Sequence, residues 1–337
     1  MKLTVRHATS YSYPQPMRTL VQSVRLFPSR FDGQTVEDWQ VSIEGFGDAA
    51  PGHAGGAMRQ AVSGGKGGGK SGDKAKKSDG PGGMGQSLGG MAQSLGEAPE
   101  ATRPRPDAAG QARIGAAFRD GVGDWTETVS IRGPVSRVVV TVTGRVETHD
   151  LSGVLRGHRE MAPPGLYLRS TRATAPDVAL TELAREVIAA TEGTSTLDRA
   201  HKLSEAVTGA IAYAPGETAA HTTAADALAG GKGVCQDHAH AMISLAHLAD
   251  IPARYVVGYL FAEGAIGEAS HAWAELWLDG LGWVGFDPAN ECCPDDRYIR
   301  LCSGYDAQDA APIRGIAAGA SEPGTLEVDV AVQRQGQ

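Results

Sequence analysis

Three side chains in the second half of the chain, Cys235, His271 and Asp287, have the types that nucleophilic acyl chemistry needs. A thiol attacks, an imidazole moves its proton, and a carboxylate orients the imidazole. Cys235 follows Gly230, Gly231 and Gly233, a flexible approach, and precedes Ala239, Met242, Ile243 and Ala246 at helical spacing. The spacing predicts a helix that opens at Cys235. A helix N-terminus presents unpaired N–H groups and partial positive charge, which favour thiolate over thiol. Without a base nearby, the same cysteine would be an inert small hydrophobe, so the base decides the reading.

The base comes from an aromatic-rich alternating run, Ser270 to Leu278, which predicts a strand containing His271. Asp279-Gly280 marks a turn, and Gly282 to Asp287 predicts a second strand ended by Pro288. A three-residue loop of Leu278, Asp279 and Gly280 would set Trp277 opposite Leu281 and His271 opposite Asp287. Other registers shift this by one or two residues but keep His271 and Asp287 at the same end of the hairpin. The expected arrangement is therefore Cys, His, Asp for acyl transfer.

These residues carry a resemblance. Gly-Val-Cys235-Gln-Asp, Ile251 to Tyr259, His271-Ala-Trp-Ala-Glu275 and Phe286-Asp287-Pro288 resemble, in order, the motif blocks of the bacterial transglutaminase-like proteins, a papain-related cysteine fold. The resemblance covers residues 165 to 305 and implies Cys235 as nucleophile, His271 as general base and then acid, and Asp287 as the orienting carboxylate. The family commonly shows an aromatic residue where His238 stands. His7-Ala-Thr-Ser-Tyr-Ser-Tyr and Arg25-Leu-Phe-Pro resemble the β domain that often precedes this core. The fold usually adds an oxyanion donor upstream of the cysteine, for which Tyr213 is the candidate. Gln236 beside the nucleophile and Trp273 on the hairpin are the other candidate substrate-binding residues.

The elements that must position these residues follow from the rest of the chain. With 337 residues, 41% hydrophobic and 21% charged, the composition suits a soluble two-domain protein. The fold class expected is α+β, a papain-like, transglutaminase-like catalytic core with an N-terminal all-β domain. Residues 1–46 alternate, and read as strands broken by Pro14, Pro16, Pro28 and Asp32-Gly33; residues 118–155 continue the pattern and complete the β domain. Between them, residues 47–117 hold no aromatic residue, and residues 51–100 hold 16 of the 45 glycines, which predicts a disordered Gly/Lys-rich insertion. Residues 160–305 form the catalytic domain, with helical stripes at Leu180, Leu183, Ala184, Val187, Ile188 and at Leu197, Ala200, Leu203, Val207, Ile211. Residues 306–337 read as a tail with one strand at Thr325 to Val332.

A net charge of -8 argues against a duplex nucleic-acid partner. Lys2 and the lack of a long apolar run argue against a signal peptide or a membrane span, so the expected compartment is the cytoplasm. Cys292, Cys293 and Cys302 read as unpaired thiols of a reducing compartment. No Cys-x-x-Cys or His-Glu-x-x-His occurs, and the acidic residues near Asp306 lack calcium-loop spacing, so no metal and no cofactor is expected. The expected partner is a peptide or protein substrate, with no membrane and no assigned oligomeric state. The expected activity is cysteine-dependent acyl transfer through a thioester, with water as the favoured acceptor. An amine acceptor, giving a transglutaminase or ligase, and a non-catalytic peptide-binding scaffold are the alternatives.

Overall fold

The computed structural model describes residues 1–46, 112–263, 270–318 and 324–335. In chain order the elements are β1 (Lys2–Val24), β2 (Gln34–Phe46), β3 (Ala112–Arg119), β4 (Trp125–Thr148), α1 (Val178–Ala190), α2 (Thr196–Ala210), β5 (Ala212–Tyr213), α3 (Ala224–Gly230), β6 (Lys232–Gly233), α4 (Cys235–Leu248), β7 (Ala253–Leu260), β8 (Ser270–Leu278), β9 (Gly282–Phe286), β10 (Tyr298–Gly304), β11 (Ile313–Ala318) and β12 (Thr325–Arg334).

The alternating residues of the β domain build two long antiparallel strands, β1 and β4, paired from Lys2↔Glu147 to Val24↔Glu127. Several short strands broken by Pro14 and Pro16 were expected; the structure has one strand there instead. Both prolines fall between Ser12 and Met17, where the β1–β4 register shifts, where pairing with β12 has ended at Ser12, and before pairing with β11 begins at Thr19. A residue without an N–H sits in the ladder's gap at no cost in hydrogen bonds. At the same level a Cβ on Gly133 would lie 1.9 Å from the Met17 carbonyl oxygen, so only glycine admits this approach of β4 to β1.

Two boundaries differ from expectation. β3 opens at Ala112 and pairs with β4 from Ala112↔Ile131, so residues 112–117 belong to the sheet; the remainder of the expected insertion lies outside the described residues. The tail supplies two strands where one was expected, and both β11 and β12 pair with β1. Their registers continue the alternation of β1, whose buried Leu3, Val5, Leu20 and Val24 face the domain core.

In the second half of the chain, β10-β7-β8-β9 form one antiparallel sheet. Helix α4 lies across one face with Asp237 to Ala246 all buried, so it is enclosed on every side and not amphipathic. Met242, Ile243 and Leu245 share a core with Leu180, Leu203, Val207, Leu276 and Phe286, and each such side chain contributes about 1.5–3 kcal/mol by leaving water. The expected stripes of α1 and α2 supply that core. The other face of the sheet presents Tyr259, Ile299, Leu301 and Cys302 to the core of the β domain, beside Leu26, Trp39 and Val140. The β10-β7-β8-β9 sheet thus lies between α4 and the β1–β4 sheet.

Buried charges fasten this sandwich. The β7–β8 register sets Arg254 opposite Glu275. Arg254 Nε donates to Glu275 Oε2 and Arg300 Nε to Glu275 Oε1, each at 2.8 Å. Arg300 also donates to Asp124 Oδ1 (3.2 Å) and to Ser29 Oγ (2.6 Å) in the β domain. Arg254 stacks 4.0 Å over the Trp283 ring. Burial alone would push the Glu275 carboxyl up, but the two guanidinium groups hold it down at about 2. Among the described residues no helix is long and apolar enough to cross a membrane.

Candidate active site

The approach to the nucleophile is fixed by a short parallel pairing. β5 and β6 join as Ala212↔Lys232 and Tyr213↔Gly233, with Ala212 N–H donating to Gly231 O (2.9 Å) and Ala214 N–H to Gly233 O (2.8 Å). Val234 is the extended N-cap of α4, and Cys235 is its first residue. At that position the Cys235 N–H has no intrahelical acceptor and is free to meet developing negative charge. Asp237, fully buried in the first turn, folds back: its Oδ2 accepts from Val234 N–H (2.8 Å) and from Thr218 Oγ1 (2.6 Å). The carboxylate packs so closely on the approach that a Cβ on Gly233 would lie 2.7 Å from Asp237 Cβ. Cys235 is therefore presented at a defined point by a glycine approach and an acidic latch.

The hairpin of β8 and β9 exists, but in a different register from the one expected. Trp277 pairs with Trp283 and Ala274 with Phe286, around a loop of Asp279, Gly280 and Leu281 with Gly280 at φ 84°. The paired ladder ends at Phe286, so His271 and Asp287 are not cross-strand partners. Asp287 instead opens a turn in which its N–H donates to Cys292 O (2.8 Å), and its side chain reaches back to the start of β8. His271 Nε2 donates to Asp287 Oδ2 at 2.6 Å. Asn290 Nδ2 lies 3.2 Å from the same ring nitrogen, and the Cys235 sulfur lies near enough to act on the charge state of the imidazole. With Nε2 held by the carboxylate, Nδ1 is the nitrogen left for sulfur.

Electrostatics favour a charged ring. Burial pushes the His271 imidazole down, but hydrogen bonds and charge from Asp287 and Cys235 outweigh it and raise the group from 6.5 to about 10. Asp287, fully buried, would be pushed up by burial; the donors His271, Asn290 and Tyr298 hold it below the usual carboxylate range. Such a set can keep an imidazolium beside a sulfur nucleophile and return its proton to a leaving group.

With this geometry in hand, comparison with known proteins places the fold. Residues 181–288, which contain Cys235, His271 and Asp287, match the transglutaminase-like superfamily, and residues 3–52 match the bacterial transglutaminase-like N-terminal region. Residues 181–288 are a transglutaminase-like core. An uncharacterized protein of Mycobacterium leprae is 38% identical over 127 residues, covering 36% of this chain and 44% of that protein. An uncharacterized protein of Mycobacterium tuberculosis is 35% identical over 131 residues, covering 36% of this chain and 42% of that one. The match thus spans less than half the length of these curated relatives. The crystal structure of a candidate cysteine protease from Cytophaga hutchinsonii shares the fold, with a TM-score of 0.61 at 17% identity, covering 100% of this chain and 92% of that one. The core supports cysteine-dependent catalysis in general.

Within the transglutaminase-like core the three candidate substrate-binding residues separate. Tyr213 is exposed beside the approach loop, with its ring 6.2 Å from that of His238. Gln236 donates to Ala220 O (3.4 Å) and lines a cleft next to the nucleophile. Trp273 does not line the cleft beside Gln236; it lines a small cavity of about 40 Å³ with Glu275, Gly285 and Tyr298. It is 2% exposed, stacked behind His271 at 6.4 Å and set edge-on to Tyr298 at 5.5 Å, so it supports the imidazole from within the protein. A register difference of two residues leaves each side chain on its own face of the sheet, so the alternation alone did not tell whether that face met a pocket or the interior.

Sequence reasoning did not find Tyr298 and Asn290. The Tyr298 hydroxyl donates to Asp287 Oδ2 at 2.8 Å and Asn290 Nδ2 to the same oxygen at 2.7 Å, while Ala289 N–H donates to Oδ1 at 3.1 Å. Asn290, three residues after Asp287, had a local signal in the turn that Pro288 begins; Tyr298 had none, because β10 brings it there from a separate strand. Tyr298 is a positioning residue. Removing its donor with Tyr298→Phe is expected to lower turnover about 10-fold, on the scale of a hydrogen bond to a buried charge. It would also raise the pKa of Asp287, so the acid limb of the pH–rate profile moves to higher pH. A profile identical to that of the wild type would refute this role.

Proposed function

We propose that the protein is a cysteine hydrolase that acts on amide bonds of peptides or proteins through a thioester on Cys235. The observation that carries the reading is the orientation of His271, whose Nε2 is committed to Asp287, which leaves Nδ1 for the nearby thiol at the first position of α4. In the acylation step Cys235 Sγ bonds to the carbonyl carbon, the C–N bond breaks, and the His271 Nδ1 proton goes to the departing amine. The Cys235 N–H is placed for the transient oxyanion. In deacylation water gives its proton to His271, its oxygen bonds to the acyl carbon, and the thiolate leaves. Water as the acceptor is favoured because it needs no dedicated binding site. Aminolysis needs a site that holds a neutral amine and excludes water.

The test is mass spectrometry of a peptide mixture incubated with wild type or Cys235→Ala, with and without an added primary amine. New termini or deamidated glutamines in the wild type alone are expected. Amine adducts that depend on Cys235 would make the protein a transferase, and identical spectra for the two proteins would overturn catalysis.

A further inference from the structure

The outer strands of the β domain differ in how they end the sheet. The pairing of β2 with β4 shifts between Val36 and Asp38, that of β3 shifts between Ile114 and Ala117, and β11 is six residues long. Irregular pairing and shortness both discourage the addition of another strand. β12 has neither guard. Its ten residues, Thr325–Arg334, pair with β1 without a shift and include no lysine or proline, and among the described residues no strand pairs with their other side. Gln335 N–H donates to Lys2 O (3.0 Å), and antiparallel bonds alternate along a strand, so the odd-numbered residues of β12 bond to β1. Leu326, Val328, Val330, Val332 and Arg334 therefore direct their N–H and C=O groups outward. On the sheet face that these side chains share, Leu326 is 57% and Val328 53% exposed, whereas Val330 is buried.

We propose that β12 is an interface that pairs, edge to edge and antiparallel, with β12 of a second copy of this chain about a two-fold axis at Val330. The strand's own sequence selects that partner, because the edge is complementary to itself. With the axis at Val330, Leu326 meets Arg334 of the second copy and Val328 meets Val332, so all five outward residues find bonding partners. Moving the axis by one residue in either direction leaves one of the five in each copy without a partner in the strand. The same axis sets Glu327 against Gln333 and Asp329 against Ala331, so no like charges oppose each other. An axis at Asp329 would set that carboxylate against its own counterpart, and one at Val328 would set Glu327 against Asp329. On the shared face Val328 is covered by Val332 of the second copy, which takes exposed apolar surface out of water. Pairing uses up the open edge of both copies, so the assembly closes at two.

The test is sedimentation equilibrium of the full chain from about 1 to about 200 μM, a range that brackets the roughly micromolar affinity of a small interface. A monomer–dimer equilibrium is expected for the wild type. Val328→Pro removes an N–H that makes no bond to β1 and should weaken the dimer about tenfold or more. Two exposed positions on the opposite face test the axis itself. Ala331→Glu places a carboxylate against Asp329 of the second copy and should weaken the dimer about fivefold; within its own sheet it faces Arg6, which the fold tolerates. Gln333→Arg faces Glu327 of the second copy and should tighten the dimer about fivefold. A wild type that stays monomeric throughout, a mass that grows beyond the dimer, or a dimer indifferent to Val328→Pro would each overturn the interface. If Val328→Pro fails to fold, the two charge variants decide alone, and no change or opposite changes in them would overturn it as well.

Discussion

Replacing His271 with alanine is expected to lower Cys235-dependent turnover by about 10³-fold, the scale of a lost general acid–base catalyst. The ring supplies two things at once, a positive charge beside sulfur and a proton for the leaving amine, and alanine removes both. The pH dependence of the wild type follows with a definite sign. His271 is raised above its ordinary 6.5 to about 10, so the protonated ring persists through neutral pH and is lost as pH rises through about 10. Turnover should fall over that alkaline range. Alkylation of the thiol, which needs no proton donor, should not fall with it. If turnover in His271→Ala stayed within about threefold of wild type, the imidazole would have no part in the chemistry.

The second large effect concerns stability. Glu275→Ala leaves Arg254 and Arg300 buried without their shared carboxylate, and breaking a buried pair in this way costs about 3–5 kcal/mol. Chemical denaturation of the variant should show that loss. A change below about 1 kcal/mol would mean that water, Asp124, which already accepts from Arg300, or Glu160, which already accepts from Arg254 Nη1, can replace the carboxylate. The acid side offers an independent check. Glu275 is lowered from 4.5 to about 2, so its contribution is present above pH 4.5 and is lost as pH falls from there toward 2, on the order of 3 kcal/mol in all. Glu275→Ala should be correspondingly less sensitive to acid over that interval.

Much of the candidate site was legible in the chain because its signals are local. The glycines before Cys235 and the helical spacing after it place the nucleophile on α4, and the aromatic alternation with Asp279-Gly280 announces the hairpin. What local signals do not carry is register. Loops of Leu278 to Gly280 and of Asp279 to Leu281 both allow a left-handed glycine, and the second is the one adopted, with Gly282 also at positive φ. His271 and Asp287 still meet, because the carboxylate reaches back from a turn that begins where the ladder stops. The surroundings of Trp273 depend on Tyr298, which packs edge-on against it from a separate strand and left no local signal. In the β domain, prolines read as strand ends lie inside β1, since a break in pairing on both sides of a strand leaves no trace in its own sequence. Arg254, Glu275 and Arg300 were visible only as charges within apolar runs; their pairing depends on three strands at once.

The most direct test is the rate at which iodoacetamide alkylates Cys235 at pH 6, read site by site by peptide mapping so that Cys292, Cys293 and Cys302 do not contribute. Wild type, His271→Ala and a free cysteine peptide are compared. An imidazolium held by Asp287 beside the sulfur predicts that Cys235 reacts faster than the free peptide in the wild type and loses that advantage in His271→Ala. Equal rates for all three would contradict a nucleophile paired with His271.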